Sequence, residues 1–188
     1  MRNATWRHPA SLRGRRVSLR TARPSDRTPL ERLRADPEID HFMGVGGPGA
    51  TLLWHQVYLG EQSGALADLV VLGPQEQPIG LVSLWDRAVP HEAAELSIWI
   101  GRGYRDGGYG TEALSLALRY AFEDLKLHKV YLRVLEYNRR AIRTYEKCGF
   151  RPEGVLREEM KVDGHWHDLI YMGVLAHEFS APADPSSA

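Results

Sequence analysis

Residues 105–111 combine an arginine with three glycines in a segment whose composition suits the binding of phosphate. The run reads Arg-Asp-Gly-Gly-Tyr-Gly-Thr and lies between an apolar segment and a helix-like one. The first turn of a helix carries N–H groups without intrahelical partners, and the helix dipole adds partial positive charge there. Gly107, Gly108 and Gly110 permit positive φ and close approach of a ligand. Arg105 adds a fixed charge that can pair with a phosphate oxygen.

Two familiar phosphate-binding motifs do not fit this loop. The P-loop of nucleotide hydrolases requires Gly-Lys-Ser/Thr, and residues 105–111 contain no lysine. A dinucleotide-binding fold places its glycines in the first strand–helix unit, whereas this loop lies past the midpoint of the chain. The loop alone therefore indicates either another kind of phosphate site or a purely structural turn.

A second informative run covers 138–150 and reads Asn-Arg-Arg-Ala-Ile-Arg-Thr-Tyr-Glu-Lys-Cys-Gly-Phe. Asn138 is a good helix N-cap, Ile142 and Tyr145 share one helix face, and Gly149 is placed to end the helix. The pattern predicts a helix that presents the phenol of Tyr145 on its apolar side.

Three predicted elements position these two runs. A buried strand over 93–100 leads into the glycine-rich loop, and an amphipathic helix over 111–125 follows it. A short strand over 130–134, rich in strand-forming residues, then precedes the second run. The remaining predicted elements are a strand near 15–22, a helix over 24–35 that ends before Pro37, a flexible glycine-rich stretch over 41–49, a helix over 51–63, strands over 67–72 and 79–86, and a hairpin of 155–162 and 166–175 around Asp163-Gly164.

Both runs resemble motifs of one family. Arg105-Asp-Gly-Gly-Tyr-Gly110 resembles the Q/R-x-x-G-x-G/A loop of the GNAT N-acetyltransferase superfamily, and the run 138–150 resembles its N-x-x-A-x-x-x-Y-E-K-x-G-F motif. The motifs occur in the family's order, and the resemblance covers roughly residues 15–178. It implies the α/β (α+β) GNAT fold: a single domain with a mixed central sheet of about seven strands flanked by about four helices.

Composition limits the remaining possibilities. A chain of 188 residues, 43% hydrophobic and without an apolar run near 18 residues, suits one soluble domain with a substantial core. We predict a loose arm over 1–14, the domain over 15–178 and a disordered tail over 179–188. No signal peptide is apparent. The single cysteine, Cys148, excludes an internal disulfide framework and suits a reducing cytoplasm.

The charge distribution bears on partners. The formal net charge is zero, which disfavours a general attraction to nucleic acid. Half of the arginines nevertheless lie in the first 34 residues, beside only Asp26 and Glu31. We favour solvated faces in an arginine-rich chain over an RNA or ribosome contact, which would show steep salt dependence lost on deletion of residues 1–14.

The resemblance implies acetyl-CoA as cosubstrate, without a metal. In the family, the strand before the loop splays from the strand after the helix, and pantetheine enters the gap. The residues that this assigns to cofactor binding are Ile98, Trp99 and Ile100 for pantetheine, mainly through backbone atoms, then Arg105, Asp106, Gly107, Gly108, Tyr109, Gly110 and Thr111 for the pyrophosphate, and Asn138 for the cofactor or an active-site water. Core packing is the alternative for the strand side chains, and capping is a second role for Asn138.

Transfer of an acetyl group to an amine needs an acid and a base. The resemblance places Tyr145 beside the thioester sulfur as donor to the departing thiolate. Glu95 alternates with the apolar residues of its strand and is our choice of base, acting through water as in relatives. Glu92 and His91 are rivals in the preceding turn, and a solvated charge is the alternative role for Glu95.

Two further patterns carry less weight. His165 and His167 share a strand face at a spacing that can bind zinc, but no third ligand is evident, so a solvated surface is favoured. Cys148 has no histidine base nearby in sequence, which favours packing over a covalent acetyl-cysteine route.

The acceptor is an amine-bearing molecule whose identity the sequence leaves open. The motifs and the C-terminal segment resemble the branch of ribosomal-protein alanine and polyamine acetyltransferases, and aminoglycoside acetyltransferases share much of the pattern. A protein N-terminus is the first choice, and no membrane partner is expected. A homodimer, a succinyl-CoA donor and a non-catalytic acyl-CoA sensor stay open as alternatives.

Overall fold

A computed structural model describes residues 11–43, 65–88 and 91–180 of the chain. The helix predicted over 51–63 lies outside the described residues. So do residues 1–10 of the predicted arm, 44–49 of the predicted flexible stretch, and 181–188 of the predicted tail.

Eight strands of the described residues form one sheet. Their bounds are β1 Leu12–Arg13, β2 Ser18–Thr21, β3 Ala65–Leu72, β4 Pro78–Ala88, β5 Ala93–Ile100, β6 Lys129–Leu135, β7 Arg151–Val162 and β8 His165–Leu175. The order in the sheet is β1-β2-β3-β4-β5-β6-β8-β7, and every neighbouring pair is antiparallel except β5 and β6. This confirms the mixed sheet predicted for the chain. The additional strand, β1, lies within the segment that was predicted to be a loose arm, and it pairs with β2.

Four α-helices lie in the described ranges: α1 Arg27–Arg34, α2 Pro37–Met43, α3 Tyr109–Arg119 and α4 Arg139–Lys147. A 3-10 turn at Pro24–Asp26 leads into α1, and a π-helical turn at Tyr120–Asp124 extends α3. The sequence did not predict α2, because Pro37 was interpreted as the residue that stops α1. Proline is also favoured in the first turn of a helix, where its missing N–H costs nothing, and α2 begins at Pro37.

The helices cover both faces of the sheet. Leu114 and Leu118 of α3 pack in the larger core with Leu132 of β6, and all three are fully buried or nearly so. Leu30 of α1 and Ile39 of α2 pack in a second core on the other face. Leu96 of β5 packs in the larger core and Trp99 in the second one, in the alternation that the sequence pattern predicted.

The sheet divides at the only parallel pair of the described strands. β5 and β6 pair through Ala93, Ala94 and Glu95, and their register ends there. Beyond Glu95, β5 continues alongside β4 as far as Ile100, whereas β6 continues alongside β8 as far as Leu135. The two strands therefore diverge and open a gap in the middle of the sheet.

The hairpin of β7 and β8 turns at the predicted residues. Asp163 and Gly164 both have positive φ, 50° and 86°, which a two-residue turn between right-twisted strands requires. No helix among the described residues combines the length and apolarity needed to cross a bilayer.

Candidate active site

A cleft of about 570 Å³ occupies the gap between β5 and β6. Its walls come from the second half of β5, the glycine-rich loop, the start of α3, the end of β6, and residues of α2, α4 and the hairpin. The sequence-predicted site residues that line it are Glu95, Ile98, Trp99, Ile100, Arg105, Asp106, Gly108, Gly110, Thr111, Asn138 and Tyr145. Gly107 and Tyr109 belong to the loop but are not among the lining residues.

The glycine-rich loop ends where α3 begins. Gly108 is the N-cap of α3 and has φ of +82°, a left-handed conformation that glycine adopts without a steric penalty. The first helical hydrogen bond runs from the Glu112 N–H to the Gly108 carbonyl at 3.1 Å. The N–H groups of Gly110 and Thr111 precede that bond, and both residues line the cleft. The cleft therefore meets the positive end of a helix, as phosphate binding requires.

Only one of the three loop glycines uses the positive φ that glycine permits. Gly107 and Gly110 do not have positive φ; Asp106, at +63°, is the other left-handed residue of the loop besides Gly108. The Gly107 carbonyl instead accepts a hydrogen bond from Arg16 Nη1 at 2.5 Å, which ties the N-terminal strands to the loop.

The guanidinium of Arg105, which was predicted to bind phosphate, is bonded to other residues of the protein. Its Nε donates to the Ile100 carbonyl at 2.9 Å, and its terminal nitrogens pair with Asp36 at 2.7 Å and Glu38 at 2.6 Å. The side chain is 9% exposed. Two carboxylates thus neutralise the charge of Arg105 in this structure, and its role in phosphate binding stays a prediction.

The pairing of Arg105 organises one wall of the cleft. Glu38 of α2 also accepts a hydrogen bond from Arg140 of α4 at 3.0 Å, so a single carboxylate links the segment after β5, α2 and α4. The Arg140 guanidinium lies 5.6 Å from the ring centroid of Phe42, close enough for a cation–π contact. Sequence reasoning missed this connection because it did not predict α2.

Asn138 has the predicted capping role. Its Oδ1 accepts a hydrogen bond from the Ala141 N–H at 3.2 Å, while the residue is buried and lines the cleft. At the other end of α4, Gly149 has φ of +93°, and the Phe150 N–H returns to the Tyr145 carbonyl at 3.1 Å. The helix thus begins and ends as predicted, which fixes the angular position of Tyr145.

Tyr145 lies in the cleft wall and is buried, 9% exposed. Burial, with a smaller contribution from nearby Cys148, raises the pKa of its phenol to about 12. The phenol is therefore protonated at neutral pH and can donate a hydrogen bond but is a weak proton source. Its ring packs against Phe150 with centroids 5.9 Å apart.

Glu95 occupies the point at which β5 and β6 diverge. It is 8% exposed, so it is not the solvated charge that was considered as an alternative. Its Oε1 accepts a hydrogen bond from Arg133 Nε of β6 at 2.7 Å, and both residues line the cleft. The rivals His91 and Glu92 are exposed in the turn before β5 and are not among the cleft-lining residues.

Cys148 packs rather than faces a base. Its Sγ is 3.6 Å from both Ser115 Oγ and the Thr111 carbonyl, and burial raises the pKa of the thiol despite the bond to Ser115.

The two histidines of β8 have different environments: His165 is exposed, whereas His167 Nδ1 lies 2.9 Å from Glu136 Oε1. No group of three potential ligands for a metal ion converges within the described part of the chain.

Sequence reasoning also missed two cations of α4. Arg143 and Lys147 line the cleft, and neither pairs with a carboxylate in the described ranges. Lys147 precedes Cys148, whose sulfur lies 3.6 Å from the Thr111 carbonyl, so this end of α4 adjoins the N-terminal end of α3. Their i, i+4 spacing beside the Tyr145 motif was the signal available in the sequence.

The cleft also has an apolar lining. It is contributed by α2, β6 and the hairpin, through Phe42, Met43, Leu135, Met160 and Leu169. The cleft therefore combines the cations of α4 with apolar side chains from these other elements.

Comparison with known proteins places the chain in a family. The family model described as "Acetyltransferase (GNAT) domain" matches residues 16–151. The spermidine N(1)-acetyltransferase of Vibrio cholerae is 37% identical over 110 residues, which are 58% of this chain and 64% of that protein. The putative ribosomal N-acetyltransferase YdaF of Bacillus subtilis is 32% identical over 100 residues, covering 53% of this chain and 55% of its own length. The matched segments thus span less than two thirds of these curated relatives.

A solved structure extends the comparison over most of the chain. The crystal structure of spermidine N-acetyltransferase from Vibrio cholerae in complex with CoA and spermine has a TM-score of 0.75 and 29% identity. It covers 86% of this chain and 96% of that one. The predicted fold and the predicted enzyme class, an N-acetyltransferase, agree with these relatives. The chain belongs to the GNAT acetyltransferase family.

Proposed function

We propose that this protein transfers an acetyl group from acetyl-CoA to a primary amine, with a protein N-terminus as the first candidate acceptor. The observation that carries the proposal is the cleft between the diverging strands β5 and β6. It combines a helix N-terminus at one end with a buried carboxylate and a buried phenol along its walls.

The donor end of the cleft fits coenzyme A. The N–H groups at the start of α3 suit a pyrophosphate. Arg143 and Lys147 add positive charge to the cleft, whereas the charge of Arg105 is already paired with carboxylates. Among the described strands, the edge of β5 beyond Glu95 has no partner on its β6 side, so pantetheine amides can pair with Ile98 and Ile100. The CoA-bound relative supports the same donor.

The proposed reaction is direct attack without a metal. Glu95, through water, accepts a proton from the ammonium, and the free amine nitrogen then bonds to the thioester carbon. A backbone N–H on β5 stabilises the oxyanion of the tetrahedral intermediate. The nitrogen of the intermediate loses its second proton to water, and the carbon–sulfur bond then breaks. The leaving thiolate accepts a hydrogen bond from the Tyr145 phenol and takes up a proton from water, so that one proton is released overall. The products are the acetylated amine and free coenzyme A.

The carboxylates of the cleft favour a peptide over a polyamine. All three lining carboxylates, Glu38, Glu95 and Asp106, lie within 3.9 Å of an arginine nitrogen. A polyamine carries several ammonium groups and would be best held by carboxylates that are not already paired. A polyamine acceptor remains the second candidate, since spermidine acetyltransferases are among the relatives.

Calorimetric titration with acetyl-CoA, followed by a panel of amines with detection of released thiol, tests the proposal. We expect one site per chain of micromolar affinity, preference for acetyl-CoA over succinyl-CoA, and thiol release with an alanyl peptide. Binding without thiol release for any amine would indicate a sensor instead. Absence of binding would overturn the donor assignment.

The role of Glu95 is tested by Glu95→Gln, which keeps the shape and removes the charge. We expect kcat/KM to fall by about 10²-fold or more between pH 6 and 9, in the range typical of lost general-base catalysis. Glu92→Gln is the matched control, because Glu92 is exposed in the turn before β5. A wild-type rate for Glu95→Gln over this range would refute the assignment.

A further inference from the structure

Arg133 lies beside the proposed base and carries hydrogen-bond donors that no described residue accepts. Its Nε donates to Glu95 Oε1 at 2.7 Å, and the side chain is 32% exposed and lines the cleft. The two terminal nitrogens have no acceptor among the residues that the structure describes. A guanidinium has five donors in a fixed planar fork, so the four terminal N–H bonds are available to a ligand.

Arg133 has three neighbours on the sheet, one on each of the strands β5, β6 and β8. It neighbours Tyr131 on β6 and is paired with Tyr171 on β8, and these two rings stack 6.2 Å apart. Glu95 lies on the third side, at the last paired position of β5 and β6. The carboxylate and the fork are thus adjacent groups, joined by a hydrogen bond of 2.7 Å.

This pair presents an acceptor and donors side by side. An amine held by Glu95 brings the atoms bonded to its carbon within reach of the Arg133 fork. In an α-amino-acyl group, the amine nitrogen and the carbonyl oxygen are about 3 Å apart, since three bonds separate them. A carbonyl oxygen at that spacing can accept from the terminal nitrogens, whereas an alkylamine has no group to place there.

We propose that Arg133 recognises the carbonyl oxygen next to the acceptor amine, so that the enzyme selects α-amino-acyl acceptors, such as peptide N-termini, over alkylamines and polyamines. This inference rests on the proposed function and deepens it. Charge supports it independently. A polyamine bound with one ammonium at Glu95 would bring its next ammonium towards the Arg133 guanidinium, where like charges repel.

The test compares two acceptors on three proteins. One acceptor is an alanyl peptide amide, and the other is its reduced analogue, in which a methylene replaces the first carbonyl. Each is assayed with acetyl-CoA on the wild type, Arg133→Gln and the control Arg157→Gln, an exposed arginine of the edge strand β7. The ratio of kcat/KM values between acceptors, compared across proteins, cancels the different basicities of the two amines.

We expect Arg133→Gln to lower kcat/KM for the peptide about 10- to 100-fold, as for loss of a hydrogen bond from a charged donor. The value for the reduced analogue should fall only by the part that Arg133 contributes through Glu95, at least about tenfold less than the loss for the peptide, and Arg157→Gln should change neither. Arg133→Lys keeps the charge but not the planar fork, and it should retain part of the preference for the peptide over the reduced analogue. It also keeps the test usable if Arg133→Gln does not fold.

Equal losses for both acceptors would mean that Arg133 only positions Glu95, and this would overturn the inference while leaving the proposed function intact. Unchanged discrimination in Arg133→Gln would overturn it as well. If the wild type neither binds acetyl-CoA nor releases thiol with any amine, the proposed function itself fails, and the inference falls with it.

Discussion

At the scale of residues, the environment of Tyr145 defines what it can contribute. Burial raises the pKa of the phenol to about 12, whereas an ordinary thiol has a pKa of about 8.5. Full proton transfer to a thiolate would therefore be uphill by about 3.5 pKa units, or about 5 kcal/mol. We infer that Tyr145 stabilises the leaving sulfur mainly by a hydrogen bond while the carbon–sulfur bond breaks.

Replacement of Tyr145 by phenylalanine tests this role. We expect kcat to fall about 10²-fold, because the donor to the leaving group is lost, while the Kd for acetyl-CoA changes less than about twofold. The measurement is steady-state kinetics together with titration. Tyr120→Phe is the matched control, since Tyr120 is buried in the π-helical turn and does not line the cleft. A full wild-type kcat in Tyr145→Phe would rule out the role.

At the scale of elements, α2 is attached to the rest of the site by charge. Arg105 joins Asp36 and Glu38, at the start of α2, to the end of β5, and Arg140 joins Glu38 to α4. These pairs lie at the border of the cleft, and the Arg105 side chain is 9% exposed. The start of α2 is therefore attached to two other elements of the site through these ion pairs.

Arg105→Gln should destabilise the protein rather than abolish donor binding directly. It leaves Asp36 without its cation and Glu38 with Arg140 alone, and the cost should stay below the about 3–5 kcal/mol of breaking a fully buried ion pair, because these groups are only part-buried. Urea unfolding measures the loss, with Arg102→Gln as control because Arg102 is exposed in the adjacent 3-10 turn. Unaltered stability, combined with weak acetyl-CoA binding, would instead support the phosphate-binding role predicted from the sequence.

The glycines of the loop offer a matched pair of substitutions. Gly108→Ala places an L-residue at φ of +82°, which costs about 1–2 kcal/mol, and should weaken acetyl-CoA binding about tenfold by shifting the start of α3. Gly110 has ordinary φ, and an added Cβ would lie 3.5 Å from Ile100 Cγ1, an ordinary contact. Gly110→Ala should therefore be nearly neutral in stability. Equal effects of the two variants, measured by thermal unfolding and titration, would contradict this distinction.

At the scale of the whole molecule, buried tyrosines set the response to alkaline pH. Burial raises the pKa of Tyr120, Tyr137 and Tyr145, the last to about 12. Between pH 10 and 12 the folded state keeps a proton on Tyr145 that the unfolded state has lost, so stability is present below pH 10 and falls as pH rises. Two pKa units correspond to about 2.7 kcal/mol for Tyr145 alone.

Urea unfolding from about pH 9 to about pH 11.5 checks this dependence. The free energy of unfolding should decline with pH in the wild type and less steeply in Tyr145→Phe, which lacks the buried phenol. Tyr171→Phe, whose side chain is only partly buried, serves as the control. Parallel curves for the wild type and Tyr145→Phe would show that the buried phenol does not contribute.

The sequence by itself determined the local elements and the two motifs. The periodicity of apolar residues predicted α3, α4, the hairpin and the strands that flank the loop, and the caps Asn138 and Gly149 lie where their residue types favour them. These features depend on interactions within a few residues, such as capping bonds and turn conformations, which neighbouring side chains encode directly. The family could be identified from them because its motifs are local.

Only the tertiary structure decided how the charges of the site are paired. Arg105 meets Asp36 and Glu38 across almost seventy residues of sequence, and Glu95 meets Arg133 only because β5 and β6 are parallel neighbours that diverge after one shared stretch. An arginine near a phosphate-binding loop can serve a ligand or a carboxylate equally well by its chemistry. Which partner it takes depends on packing between distant elements, and no local pattern specifies that choice.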